Sequence, residues 1–237
     1  MKKSSIIHFC ALLCAVLFSS CIQSGKTGDL RWSIVNGTLT ISGTGTMPDY
    51  DYPDIPSPWF LYRDSIFTVI IKEGISNIGD FAFTDCRGLT SVTIPSSVVT
   101  IGIGAFIDCV GLTSVTIPSS VTTIKFSAFG NCIGLTSVTI PNSVVTIGDG
   151  VFGNCISLNS VIISNSVTTI GDGVFYNCIS LTEIINHATI PQKIYTNLFS
   201  DEDKTRCTLR VPATSASAYR TAIGWKDFEN IEAITNN

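Results

Sequence analysis

A 23-residue period sets what this chain can fold into. Copies begin at Ile66, Leu89, Leu112, Leu135 and Leu158, with a degenerate copy from Leu181, and the first five need no gap between them. Residues 89–111 and 112–134 agree at sixteen of twenty-three positions. A unit this short is one coil that cannot bury its apolar side alone, so consecutive copies have to stack into a solenoid. In Leu89–Pro95, strand alternation points Val92 and Ile94 inward and Ser91 and Thr93 outward. Pro95 ends the strand because it cannot donate to a ladder. Val98 and Ile101 then face the core on a return segment, Gly102 permits a tight turn, and Ala105-Phe106 pack a short helical turn before Cys109. The fold class expected is a mainly β repeat solenoid, a right-handed coil with a parallel sheet along one face, short helical or 3-10 turns, and a cap at each end.

The apolar spacing at first, fourth and sixth places is that of a leucine-rich-repeat strand. The whole unit resembles the repeat of the BspA-like bacterial surface proteins, L-x-x-V-x-I-P-x-x-V-x-x-I-G-x-x-A-F-x-x-C. The resemblance extends to the ends: Gly37–Gly43 with Met47-Pro48 and Pro58-Trp59 looks like that family's N-terminal cap, and Leu209–Pro212, Ala218-Tyr219, Trp225 and Phe228 like its C-terminal cap. Departures are mild, with Ser164 for the strand-ending Pro, Lys125 for the turn Gly, and Val151 and Val174 for Ala. The caps also read sensibly by themselves. Asn36-Gly37 between two alternating runs is a type I′ hairpin signal, and the Pro- and aromatic-rich stretch from Met47 to Tyr62 can close over the first coil. Residues 215–222 read as a short helix, and Trp225, Phe228 and Ile231 can cover the last coil. The division expected is an N-terminal cap at 30–65, the array at 66–188 and a C-terminal cap at 189–237.

The first residues carry an address. Lys2 and Lys3 precede Ile6–Phe18, thirteen residues interrupted only by His8, too few for a spanning helix of about 20. Residues 1–20 therefore read as a signal peptide. Leu17–Cys21 resembles a bacterial lipobox, with Phe18 a poor match, which makes Cys21 the lipidation residue and 21–29 a lipid-anchored tether. The other reading is a plain secretory signal with Cys21 incidental. Export across the inner membrane to the envelope follows, as an outer membrane lipoprotein or at the cell surface. The tether lacks an acidic run, so the periplasmic face stays open too.

Charged residues make up 14% of the chain against about 25% in ordinary domains, and the net charge of −4 excludes a basic nucleic-acid binder. Solubility comes from hydroxyls instead: twenty-six of the ninety-two residues from 89 to 180 are Ser or Thr, and Lys125 is the single basic residue among them.

Of nine cysteines, Cys10 and Cys14 lie in the signal and Cys21 in the lipobox. Cys86, Cys109, Cys132, Cys155 and Cys178 recur every 23 residues. Stacking spaces them about 4.8 Å apart, wider than the mean Cβ separation of about 3.8 Å in a disulfide, so a column of small buried thiols is expected. A straight column does not surround a metal tetrahedrally. Cys207 is free or locally paired. Asp85, Asp108, Asn131, Asn154 and Asn177 form a parallel column read as capping turn amides. His187, the remaining histidine, has no triad context. Asp201-Glu202-Asp203 reads as a solvated loop, and the Gly-Asp-Gly runs at 148–150 and 171–173 as repeat turns. No catalytic residue, cofactor or metal ligand is assigned.

Outward strand positions form two columns: Thr68, Ser91, Ser114, Ser137, Ser160 and Glu183, and Ile70, Thr93, Thr116, Thr139, Ile162 and Ile185. Ser91, Thr93, Ser114, Thr116, Ser137, Thr139, Ser160 and Ile162 are the candidate binding residues on a face uncharged in the middle and more apolar at its ends. Such a face suits broad contact with a protein partner. The family resemblance implies an adhesin or interaction module, binding host matrix or another bacterial surface protein, with the membrane met through the lipid anchor only. A carbohydrate-binding or purely structural envelope repeat is the alternative, and it asks for exposed aromatics, of which Tyr176 is a candidate. An enzyme or an ice-binding grid ranks below both.

Overall fold

A computed structural model describes residues 22–194, 198–199 and 201–235. The signal segment and Cys21 lie outside the described residues. The chain opens with an antiparallel meander, β1 (Gln23–Thr27), β2 (Leu30–Val35) and β3 (Thr38–Ser42). Asn36 and Gly37, at φ 48 and 75, make the two-residue turn between β2 and β3, whose twist matches that of the flanking strands. The tether reading of 21–29 is corrected here. Residues 23–27 pair along their full length with β2, and Thr27 is buried, its hydroxyl 2.8 Å from the Tyr50 hydroxyl. Polar, glycine-containing residues mimic a linker, but an edge strand needs only main-chain pairing and one anchored side chain.

Beyond the cap the chain runs through β4 (Thr68–Ile71), β5 (Asn77–Ile78), β6 (Ser91–Thr93), β7 (Thr100–Ile101) and β8 (Thr123–Ile124). It continues through β9 (Ser137–Ile140), β10 (Thr146–Ile147), β11 (Ser160–Ile163), β12 (Thr169–Ile170), β13 (Glu183–Asn186), β14 (Thr208–Val211) and β15 (Asn230–Ala233). These strands build a solenoid with two parallel ladders rather than the single sheet expected. The main ladder runs β3-β4-β6 and then β9-β11-β13-β14-β15, and the second runs β5-β7-β8-β10-β12. Within the array each pair is in register by one repeat, as in Thr100↔Thr123 and Ser137↔Ser160. The second ladder arises because Ile101 and its equivalents are buried β-branched residues, preceded by a threonine in every strand but β5, where it is Asn77, a pattern that suits a half-buried pleat.

The Ala105-Phe106 segment is a run of turns, not a helix. Ala105 and Ile107 amides bond back three residues, while Gly104, Phe106 and Asp108 donate to Phe126, Ala128 and Gly130 of the next coil at 2.8–3.0 Å. Half the amides are committed to the neighbour, so no coil completes a helical turn by itself. Gly102 is not in the left-handed region; a Cβ there would fall 2.7 Å from the Asp80 amide nitrogen and 2.7 Å from Gly79 C. Its glycine serves close stacking rather than a tight turn. Lys125, at the equivalent place, is partly exposed and its Nζ lies 3.4 Å from Asp80 Oδ1.

One aromatic column threads the core. Phe83, Phe106, Phe129, Phe152, Phe175 and Phe199 stack with centroids 5.1–5.9 Å apart and planes within 16°. Trp59 closes the first end, stacked on Phe83 at 5.7 Å, and Trp225 meets Phe199 edge-on at the other. In the C-terminal cap, Asp201–Arg206 is a short α-helix where a loop was expected, and the helix expected at 215–222 is a 3-10 turn, Ala213–Ser215, followed by one α-turn, Ala216–Tyr219. Trp225 Nε1 donates to the Gln192 carbonyl at 2.8 Å and the Tyr219 hydroxyl to Ala188 at 3.0 Å, which satisfies polar groups that burial would otherwise penalise.

Candidate functional site

The face of the main ladder carries both candidate columns. Ser91, Thr93, Ser114, Thr116, Ser137 and Thr139 are exposed, while Ser160 and Ile162 are partly covered. The columns run further than the repeats: β3 adds Thr38 and Thr40 at one end, and β14 and β15 add Thr208, Arg210, Asn230 and Glu232 at the other. Nine rungs result, counting residues 113–116, and at about 4.8 Å per rung the face is about 40 Å long. The six-rung face expected is thus too short, because the cap strands carry no repeat signature and still join the register. Its C-terminal end is also charged rather than apolar. Arg210 lies between Glu183 at 2.8 Å and Glu232 at 2.6 Å, and the bonded Glu183 carboxylate raises its pKa.

The ladder is interrupted between β6 and residues 113–116, where the Ser114↔Ser137 bridge is the pairing formed. Inward Val92 and Val115 are half-buried there, whereas Val69, Val138 and Val161 are buried. The exposed hydroxyls therefore flank a break in the sheet.

Behind the face, the thiol column is buried and unbridged among the described residues. Four of the five donate from Sγ to a phenylalanine carbonyl of the preceding coil: Cys109 to Phe83, Cys132 to Phe106 and Cys178 to Phe152 at 3.2 Å, and Cys155 to Phe129 at 3.3 Å. Burial pushes the Cys86 thiol up to about 12 and holds Cys109, Cys132 and Cys155 above their ordinary value too. A neutral thiol is a poor nucleophile, so iodoacetamide at mildly alkaline pH is expected to leave these four unlabelled in the native protein and to label them after unfolding. Native labelling at the rate of an exposed cysteine would overturn this. The folded value lies above the ordinary thiol value of 9.0, so the stability it contributes is present below that pH and is lost as pH rises toward about 12. Cys207 is buried as well, its Sγ 3.8 Å from the Thr208 carbonyl.

The Asp/Asn column does not cap turn amides. Asp85, Asp108, Asn131, Asn154 and Asn177 all sit in the left-handed region at φ 56 to 61, which short polar side chains tolerate best after glycine. Four of the side chains bond in pairs along the column, Asn131 Nδ2 donating to Asp108 Oδ1 and Asn177 Nδ2 to Asn154 Oδ1 at 2.9 Å, while Asp85 accepts from the Tyr52 hydroxyl and from Arg87. His187 is exposed just after β13, its amide bonded to the Ile163 carbonyl.

One-repeat register in two parallel ladders defines a leucine-rich-repeat solenoid. The family model for the BspA type leucine rich repeat region matches six copies, over residues 53–182 and 122–235; the chain belongs to this family. Among solved structures it is similar to a T. pallidum leucine rich repeat protein, at 28% identity over 69% of this chain and 78% of that one, with a TM-score of 0.53. It is also similar to the pneumococcal vaccine antigen PcpA, at 18% identity over 87% of this chain and 48% of that one, with a TM-score of 0.59. The chain thus spans about half the length of PcpA, and at that identity the likeness concerns the fold alone. The comparison with curated protein sequences finds no match.

Proposed function

We propose that this chain is a cell-envelope lipoprotein, anchored through Cys21, whose solenoid mediates adhesion by protein–protein contact and performs no catalysis. The observation that carries the reading is the face of the main ladder: six exposed Ser and Thr side chains in the middle of a nine-rung surface. A long face that is uncharged through its middle rungs binds there through many modest contacts and is weakly sensitive to salt, because few charges are there to be screened. Envelope location is supported by the family and by the cysteine at the end of an apolar leader. No helix among the described residues is long and apolar enough to cross a membrane, which fits attachment by lipid. The partner class proposed is a host matrix protein or another bacterial surface protein.

The test compares wild type with a variant carrying Thr93→Glu, Thr116→Glu and Thr139→Glu. Three negative charges on adjacent rungs repel one another and must be desolvated in any contact. Saturable binding to extracted matrix or bacterial surface proteins is expected to fall about tenfold or more, with the melting curve little changed. Undiminished binding would move the site off this face.

A further inference from the structure

A second candidate site lies on the turn segments rather than on the strands, and it rests on different residues from the reading above. A groove of about 390 Å³ crosses these turns between Ile107 and Tyr176, inside the range of roughly 300–1,000 Å³ common for ligand pockets. The repeat columns show how it forms. The place held by Ile107 in one copy is held by Gly130 and Gly153 in the next two and by Tyr176 in the fourth. Two successive side chains are therefore missing. Neither glycine is in the left-handed region, and a Cβ on either would lie no closer than 3.3 Å to its nearest atom. At 3.3 Å from the Ser127 and Gly150 carbonyl oxygens such a Cβ is a tight fit, but Ile107 and Tyr176 hold side chains at the same place of the repeat, so what the two glycines provide is the room those side chains would fill.

Two large rings stand at this opening. Phe126 is 54% exposed and Tyr176 56% exposed; they are two coils apart, which separates them by about 10 Å along the stack, and they sit four places apart within the repeat. Between them lie polar groups with capacity to spare. Asp149 uses one carboxylate oxygen on the Asp172 amide at 2.9 Å, and Asn154 uses its Oδ1 on Asn177, which leaves a carboxylate acceptor and an amide donor without partners among the described residues.

We propose that this groove binds a neutral glycan, one or two pyranose rings seated between Phe126 and Tyr176 with hydroxyls bonded to Asp149 and Asn154. Aromatic faces, negative at their centres, attract the polarised C–H groups of a sugar ring, and carboxylate and amide together accept from and donate to hydroxyls. Among the described residues no Lys or Arg lines the groove, and Asp149 and Asp172 give it negative charge, so anionic ligands are disfavoured. A peptide strand is disfavoured for another reason. Amides here already bond to the next coil, Asn131 to Gly153 at 2.8 Å and Asn154 to Tyr176 at 2.8 Å, so an added strand would compete with these bonds.

The test uses the full chain and two neutral probes, cellotetraose and chitotetraose, read by saturation-transfer NMR titration. Saturable binding of at least one is expected, weakened about tenfold or more by Gly153→Ile, which restores the residue the same column carries at Ile107, and by Tyr176→Ala at an exposed site. The Thr93→Glu, Thr116→Glu, Thr139→Glu variant binds the probe as wild type does. Failure of both sugars to bind at millimolar concentration, or binding that survives both groove substitutions, overturns the proposal. So does binding of an oligolysine peptide, lost on Asp149→Asn, where neither sugar binds.

Discussion

Phe129→Ala is expected to cost about 3–5 kcal/mol, the range for removing a buried aromatic side chain from a core that cannot collapse. Phe129 is fully buried and stacked on both sides, against Phe106 at 5.2 Å and Phe152 at 5.6 Å. Collapse is blocked because the flanking coils are held apart by main-chain bonds in both ladders and in the turns, such as Phe129 N to the Val151 carbonyl at 2.9 Å. A repeat array is stabilised by its nearest-neighbour interfaces, so the loss falls at one junction and should uncouple the halves. Urea unfolding followed by hydrogen exchange is expected to show β4 and β13 opening at different denaturant concentrations in the variant and together in wild type. A loss under about 1 kcal/mol with coincident opening would show that the column is not what couples the coils.

Trp59→Ala is expected to cost a similar amount, about 3–5 kcal/mol, and to act from the end of the array. Trp59 is fully buried; it stacks on Phe83, meets Trp32 and Tyr50 edge-on at 6.2 and 5.7 Å, and donates from Nε1 to the Ala82 carbonyl at 2.7 Å. Its removal leaves Phe83 without a partner on one side and a buried carbonyl without a donor. Terminal coils of a solenoid depend on such covers to keep an apolar face from water. The variant should bind a hydrophobic dye and lose exchange protection first in β4, with β13 protected as in wild type. Uniform loss of protection along the chain would sink this account, because it would mean that the cap and array melt as one unit regardless of where they are damaged.

Much of this architecture is legible because a repeat writes its own periodicity. Leu89, Val92, Ile94, Val98, Ile101, Phe106 and Cys109 recur in every full copy with at most conservative change, and a residue that recurs at one place must stack on its own equivalents. Burial of the thiol column follows directly. Three features were less legible. The strand at 23–27 has no apolar alternation, since its pairing is main-chain only. The glycine at 102 looks like turn chemistry, yet its reason is a neighbouring backbone 2.7 Å away, which no local reading shows. Residues 208–211 and 230–233 lack the repeat and still complete the face, because a parallel sheet edge accepts any strand that can pair with it.

The sequence by itself determined that the chain stacks in units of 23 residues, which side chains enter the core and which stay outside. Those outcomes depend on the order of apolar and polar residues, and that order is local. Only the tertiary structure decided how far the exposed face runs, where its ladder breaks, and that Gly130, Gly153, Phe126 and Tyr176 share one groove. Residues from four copies become neighbours there only after the coils are stacked, and no distance along the chain measures that proximity.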